Sequence, residues 1–241
     1  MNSKAINFIK NFSYTLSSNL ISLIVSSLVV LIIPKLIGVE EYGFWQLYLF
    51  YSSYVGFMHF GWNDGIYLRY GGEKYEDLNK QLFFSQFTML FFLQLLIAIL
   101  IVIYSVFSID DANRLFILQM VALVLVIMNM RTMLLFILQA TNRIKNYAQI
   151  TMLDRIVYII LVSSFLLFGV REYKLMIVAD IISKALSLIY AMYCCKEMIF
   201  RKFSVFSLSI RESVENINVG IKLMFANIAS MLIIGVVRFG I

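Results

Sequence analysis

Residues 81–107 read QLFFSQFTMLFFLQLLIAILIVIYSVF, with no charged side chain among them. At about 1.5 Å per residue, a helix of this length exceeds the roughly 30 Å hydrocarbon layer of a bilayer. The apolar residues run continuously instead of alternating, which excludes the strand of a transmembrane β-barrel. Outward from this stretch the same texture recurs. Further apolar segments cover 12–33, 44–66, 114–139, 148–169, 174–195 and 219–241, separated by short polar stretches such as 71–80 and 108–113. The second segment is the weakest, because it carries Gln46, His59, Asn63 and Asp64.

Composition agrees with this reading. Of 241 residues, 61% are apolar and 14% charged, with one proline and a mean hydropathy of +0.87. Soluble domains hold about 45–50% apolar and about 25% charged residues. No soluble core absorbs such an excess, so a secreted domain, a soluble enzyme and a single-pass receptor are excluded. The expectation is an all-α polytopic membrane bundle. It has a six-helix lobe over 1–199, an interfacial connector on the cytoplasmic side over 200–218, and a seventh helix over 219–241. The polar stretch 196–218 that contains it mixes Lys196, Arg201, Lys202 and Arg211 with Phe200, Phe203, Val205, Phe206 and Leu208, the pattern of a partly helical segment lying at headgroups.

The net charge of +6 reflects basic loops on one membrane face and not nucleic-acid binding. With the N-terminus inside, twelve Lys and Arg fall on inner stretches, among them Lys10, Arg69, Lys80, Arg143 and Arg201. Only Lys35, Arg114, Arg171 and Lys174 fall outside, so the N-terminus is expected in the cytoplasm. His59 stands alone, and Cys194 and Cys195 are adjacent. Neither offers metal spacing, and neighbouring helical cysteines point too far apart to bridge. No metal, no cofactor and no nucleophile–base constellation is expected.

The informative charges are those inside the segments. A charge at mid-membrane costs roughly 2.5–3.5 kcal/mol and usually faces a partner or a cavity. Arg131, Asp154, Arg155, Asp180, Lys184 and Arg238 are so placed. Asp180 and Lys184, four residues apart, share a helix face and either neutralise each other or line a cavity. Arg131 and Arg238 either snorkel to headgroups or point inward. Asp154 is either a helix-start charge or a cavity group. Four bases against two acids leave the interior positive, an arrangement suited to an anionic cargo. Thr15, Asn19, Ser22 and Ser26 form a polar stripe on the first helix, suited to close helix packing or to lining water.

Three stretches carry a resemblance. PKLIGVEEYGFW at 34–45 pairs a basic residue, Leu and Gly with Glu-Glu-Tyr-Gly and an aromatic; FGWNDGIYLRY at 60–70 is a Gly-rich turn running into Arg-Tyr; and GIKLMFANIAS at 220–230 opens a further helix. Together with Asn19, these stretches resemble Wzx-type polysaccharide flippases of the multidrug/oligosaccharidyl-lipid/polysaccharide exporter superfamily. The chain departs from that pattern at Val237, where relatives carry an acid before the position of Arg238.

The resemblance implies a cell-membrane (cytoplasmic or inner membrane) transporter, roughly half the usual length and ending one helix into a second lobe. Its cargo would be an undecaprenyl-pyrophosphate-linked oligosaccharide, and its other partners the bilayer and the polysaccharide assembly machinery. Lys184, Arg131 and Arg155 would attract the pyrophosphate. Asp180 and Asp154 would restrain those bases or take up a coupling proton or sodium ion. Thr15, Asn19 and Ser22 would line the cavity, with Arg238 and Asp64 as further candidates. A drug or metabolite exporter of the same superfamily, or a non-transporting membrane fragment, remains the alternative.

Overall fold

The computed structural model describes residues 3–239; the side chains of residues 1–5, 7, 8, 28–30 and 233–241 lie outside the description. Every regular element among the described residues is helical. The helices are α1 (Ser3–Ile37), α2 (Val39–Val55), α3 (Trp62–Arg69), α4 (Lys80–Ser108), α5 (Ala112–Ala140), α6 (Ile144–Leu167), α7 (Tyr173–Cys194), the single turn α8 (Lys196–Ile199) and α9 (Ile210–Phe239). Five of them, α1 and α4 to α7, are long and apolar enough to cross a membrane. Their outward faces carry Leu16, Leu23, Phe92, Leu96, Leu100 and Ile160 in the open. Exposed apolar belts on that scale need lipid around them, so the chain is a multi-pass membrane protein.

Polar residues start the helices where the sequence supplies them. The Asn79 side chain accepts from the backbone N–H groups of Gln81 and Leu82, both at 3.1 Å, and so opens α4. Asp111 Oδ1 accepts from the Arg114 N–H at 2.7 Å and opens α5. The bundle has two ends. At one, Glu41 accepts from the Tyr173 N–H at 2.6 Å and Tyr173 donates to Asn113 at 2.9 Å. At the other, Asn11 donates to Asn142 at 2.9 Å, the Gly72 N–H donates to the Ala140 carbonyl at 2.9 Å, and Arg143 pairs with Glu76 at 2.9 Å.

Helix α5 is the axle of the bundle. It packs on α2, α3, α4, α6 and α7, and it is the most buried of the five long helices. Two apolar clusters share it. One gathers Trp45, Tyr48, Ile117, Val121, Leu125, Val162 and Ile177; the other gathers Trp62, Phe83, Met130, Leu134, Leu138 and Met198.

Two expectations change. The segment at 44–66 is not one continuous span. It is α2, an irregular turn over 56–61, and α3. Phe60 at φ 54° and Gly61 at φ 83° take two successive left-handed conformations, which no helix tolerates. The last long helix also begins at Ile210 and not at Val219, so the second half of the expected connector belongs to α9. The remainder holds one 3-10 turn, Phe203–Val205, with Phe200, Phe203 and Leu208 exposed, and α8 precedes it.

Candidate functional site

Three helices bring five of the interior charges together. Residues 180, 183 and 184 lie on one face of α7, at i, i+3 and i+4. Lys184 pairs with Asp180 on that face. The other Asp180 oxygen accepts from the Tyr48 hydroxyl of α2 at 2.6 Å. Ser183 donates to Asp154 of α6 at 3.0 Å, and the second Asp154 oxygen meets the Arg131 guanidinium of α5 at 3.1 Å. Ser183 therefore ties the two ion pairs into one network that spans α5, α6 and α7, with α2 joined through Tyr48.

The network is not neutral. It holds Arg131, Arg155 and Lys184 against Asp154 and Asp180, and Arg155 forms no ion pair among the described residues. The structure also sets hydrogen-bond donors around it without acceptors. Trp45 Nε1, the Tyr158 hydroxyl, Arg131 Nε and Arg155 Nε are all shielded from solvent and unpartnered. Trp45 stacks between Tyr48 and Tyr158, at 5.4 and 6.2 Å between ring centroids. Leaving a donor buried and unmade costs about 1–3 kcal/mol. Three of them around Arg155, whose own Nε is the fourth, make a site that suits an anion or another strong acceptor.

The remaining candidates lie elsewhere. On α1, Ser18 donates to the Thr15 carbonyl at 2.9 Å and Ser22 to the Ser18 carbonyl at 2.8 Å, so these hydroxyls are spent on their own helix, while Asn19 is exposed. Asp64 lies in the first turn of α3, beside His59. The side chain of Arg238 lies outside the described residues.

A second polar constellation surrounds the break between α2 and α3. Unwinding frees carbonyls that lipid cannot satisfy. Asn129 of α5 donates to the Val55 carbonyl at 3.0 Å and to Gln94 Oε1 of α4 at 2.8 Å; Gln94 in turn donates to the Met58 carbonyl at 2.9 Å. Asn63 donates to the Asn129 carbonyl at 3.0 Å. A reading of charge alone does not single out Gln94 or Asn129. Two neutral amides, Gln94 and Asn129, inside the most apolar helices were the available signal.

A third constellation docks α9 on α3. Gly61 and Gly65, one turn apart, let the backbones touch. A methyl group on Gly65 would overlap the Asn216 carbonyl, and one on Gly61 would meet the Ile221 nitrogen at 2.6 Å. At the end of this contact Arg69 binds Glu212 at 2.6 Å, Glu215 at 3.0 Å and Asn216 at 2.6 Å, and the Tyr70 hydroxyl donates to Glu212 at 2.6 Å. Beside it, Gln86 of α4 accepts from Trp62 Nε1 at 2.8 Å and donates to the Ser209 hydroxyl at 2.6 Å.

Outside the bundle, the carboxyl of Glu76 is held below the usual range, first by backbone hydrogen bonding at Glu76 itself and then by the Arg143 guanidinium. Arg143 also covers the Tyr75 ring at 3.6 Å. Near the same end, Cys195 is buried and its thiol is pushed up to about 12 by that burial, which suits a packed residue and not a reactive one. Comparison of the chain with protein-family models, with curated proteins and with solved structures finds no match.

Proposed function

We propose that the chain is part of a flippase for lipid-linked oligosaccharides, carrying a pyrophosphate-headed glycan from the inner to the outer leaflet of the cell membrane for surface-polysaccharide synthesis. The observation that supports this is the charge imbalance of the α5–α6–α7 network: three cations, two carboxylates, and buried donors without acceptors beside Arg155. A pyrophosphate and its sugars must cross roughly 30 Å of hydrocarbon that the polyprenyl tail never leaves. Arg131 and Arg155 offer planar forks of donors to phosphate oxygens, and Lys184 offers a point charge. Asp154 and Asp180 hold two of the three bases when no anion is present, so the cations are ordered in advance and released without being stranded. Rocking of this lobe against a facing one would alternate access to the site, with the N-terminus in the cytoplasm and the positive loops beside it.

One observation favours a second reading. Each carboxylate already holds a base, so the network could serve only to staple α5, α6 and α7 together in a non-transporting bundle. Arg155→Ala separates the two readings, because Arg155 forms no ion pair whose loss would weaken the staple. The proposal expects Arg155→Ala and Lys184→Ala, introduced at the native locus, to abolish most glycan export at equal protein level. Normal export in both would remove the site assignment, and export of cationic drugs in place of glycan would redirect it to a drug exporter.

A further inference from the structure

The break between α2 and α3 holds a carboxylate that the anion site does not use. Asp64 and His59 are both buried, and His59 Nε2 stands 3.7 Å from Asp64 Oδ2. His59 Nδ1 accepts the Gly61 N–H at 3.1 Å, which leaves the ring neutral with its remaining proton on Nε2, toward Asp64. On the other side Asn227 of α9 presents its amide N–H to Asp64 Oδ1 at 3.4 Å. Among the described residues, the helices packed on α3 bring no cation to this carboxylate; Arg211 of α9 is exposed and paired with Glu215, and the side chain of Arg238 lies outside the description. On α5, Arg131 is committed to Asp154; on α9, Glu212 and Glu215 are committed to Arg69, and Lys222 is exposed.

We propose that the His59–Asp64 pair is a proton-binding site, with the exchangeable proton on Asp64 and its occupancy sensed by Asn227 of α9. A buried carboxylate with no described cation beside it is costly, and a proton from solution removes its charge outright. The groups facing it are N–H donors, whereas a metal cation needs a shell of oxygens. The anion is still reachable, because Asp64 sits in the first turn of α3, where the helix end favours negative charge. Loss of the proton strengthens the Asp64–Asn227 hydrogen bond and draws α9 toward the break; its return weakens that bond.

The test is an infrared pH titration of the reconstituted 241-residue chain, which reads carboxyl protonation directly. It needs no transport, so it fails or succeeds independently of the flippase reading. The expected result is a protonated-carboxyl band that titrates within roughly pH 5–9, is absent in Asp64→Asn, shifts its midpoint in His59→Gln and Asn227→Leu, and persists in Asp180→Asn. Asp64→Asn is expected to fold as well as the parent, with a melting temperature that no longer follows pH over that range. The proposal is overturned if the band survives in Asp64→Asn, if no band titrates, or if replacing choline by sodium displaces the proton. Failure of Asp64→Asn to fold while Asp64→Glu folds without a band would also overturn it, since that outcome marks a permanent ion pair with His59.

Discussion

Asp154 carries two duties at once: it accepts from Ser183 and it neutralises Arg131. Removing it strands a buried guanidinium, and breaking such a pair from one side costs about 3–5 kcal/mol. Asp154→Leu alone is therefore expected to lower the thermal midpoint of the detergent-solubilised chain sharply. Arg131→Met combined with Asp154→Leu is expected to recover most of that loss, since paired apolar replacements of a buried ion pair are often neutral. The double variant is expected to fold and still fail to bind a pyrophosphate lipid; a stable double variant with full binding would show that Arg131 is a staple alone. At the surface the same logic is weaker. Because the Glu76 carboxyl lies below its ordinary value of 4.5, its contribution is complete above that value and is lost as pH falls through the lowered one. Arg143→Ala is expected to move Glu76 back toward 4.5, read by NMR of the labelled carboxyl.

At the scale of elements, the α3–α9 contact is the most intimate in the bundle, and it depends on the absence of side chains. Gly65→Leu is expected to separate α9 from α3, visible as faster amide exchange over residues 210–220 with α5 unchanged. Unaltered protection there would contradict the glycine interlock. The break in the second segment depends on different residues. Asn129→Leu strips a donor from the Val55 carbonyl and a partner from Gln94, and an unsatisfied buried group costs about 1–3 kcal/mol. A loss of that size in unfolding free energy, with α6 and α7 still protected, is the expected result. These elements also show what could be read from the chain itself. Helices α1 and α4 to α7 were legible because each is a long apolar run, and length alone decides a span. Asp180–Lys184 was legible because both lie on one helix at i and i+4. The Arg131–Asp154 pair was not, because it joins two helices whose rotation about their axes is set only by packing. The break at 56–61 was legible only in part: the glycines at 61 and 65 mark a turn, but the aromatic run before them reads as apolar, and the amides that cap the freed carbonyls come from α4 and α5. The start of α9 was missed because Glu212, Glu215 and Asn216 read as part of a partly helical interfacial connector until Arg69 and Gln86 supply their partners.

Across the whole molecule, three polar clusters join the helices of the bundle. The cation-rich network joins α5, α6 and α7; the capped break joins α2 and α3 to α4 and α5; and the Arg69 cluster closes the end where α9 begins. The arrangement places three cations and two carboxylates inside an apolar bundle, with the buried Asp64 carboxyl one helix away on α3. Topology is testable directly. Cysteine introduced at Glu172 is expected to label from outside intact cells and cysteine at Lys145 only after permeabilisation; the reverse pattern would invert the proposed orientation. The central claim is that the α5–α6–α7 network binds a pyrophosphate headgroup, and the most direct measurement is equilibrium binding of an undecaprenyl-pyrophosphate-linked oligosaccharide to the chain in nanodiscs. Losing one charge-assisted hydrogen bond costs about 1.5–3 kcal/mol, so Arg155→Ala and Lys184→Ala should each bind roughly 10–100-fold more weakly than the parent. Equal affinity for parent and both variants, or equal affinity for the same lipid without its pyrophosphate, would contradict the account.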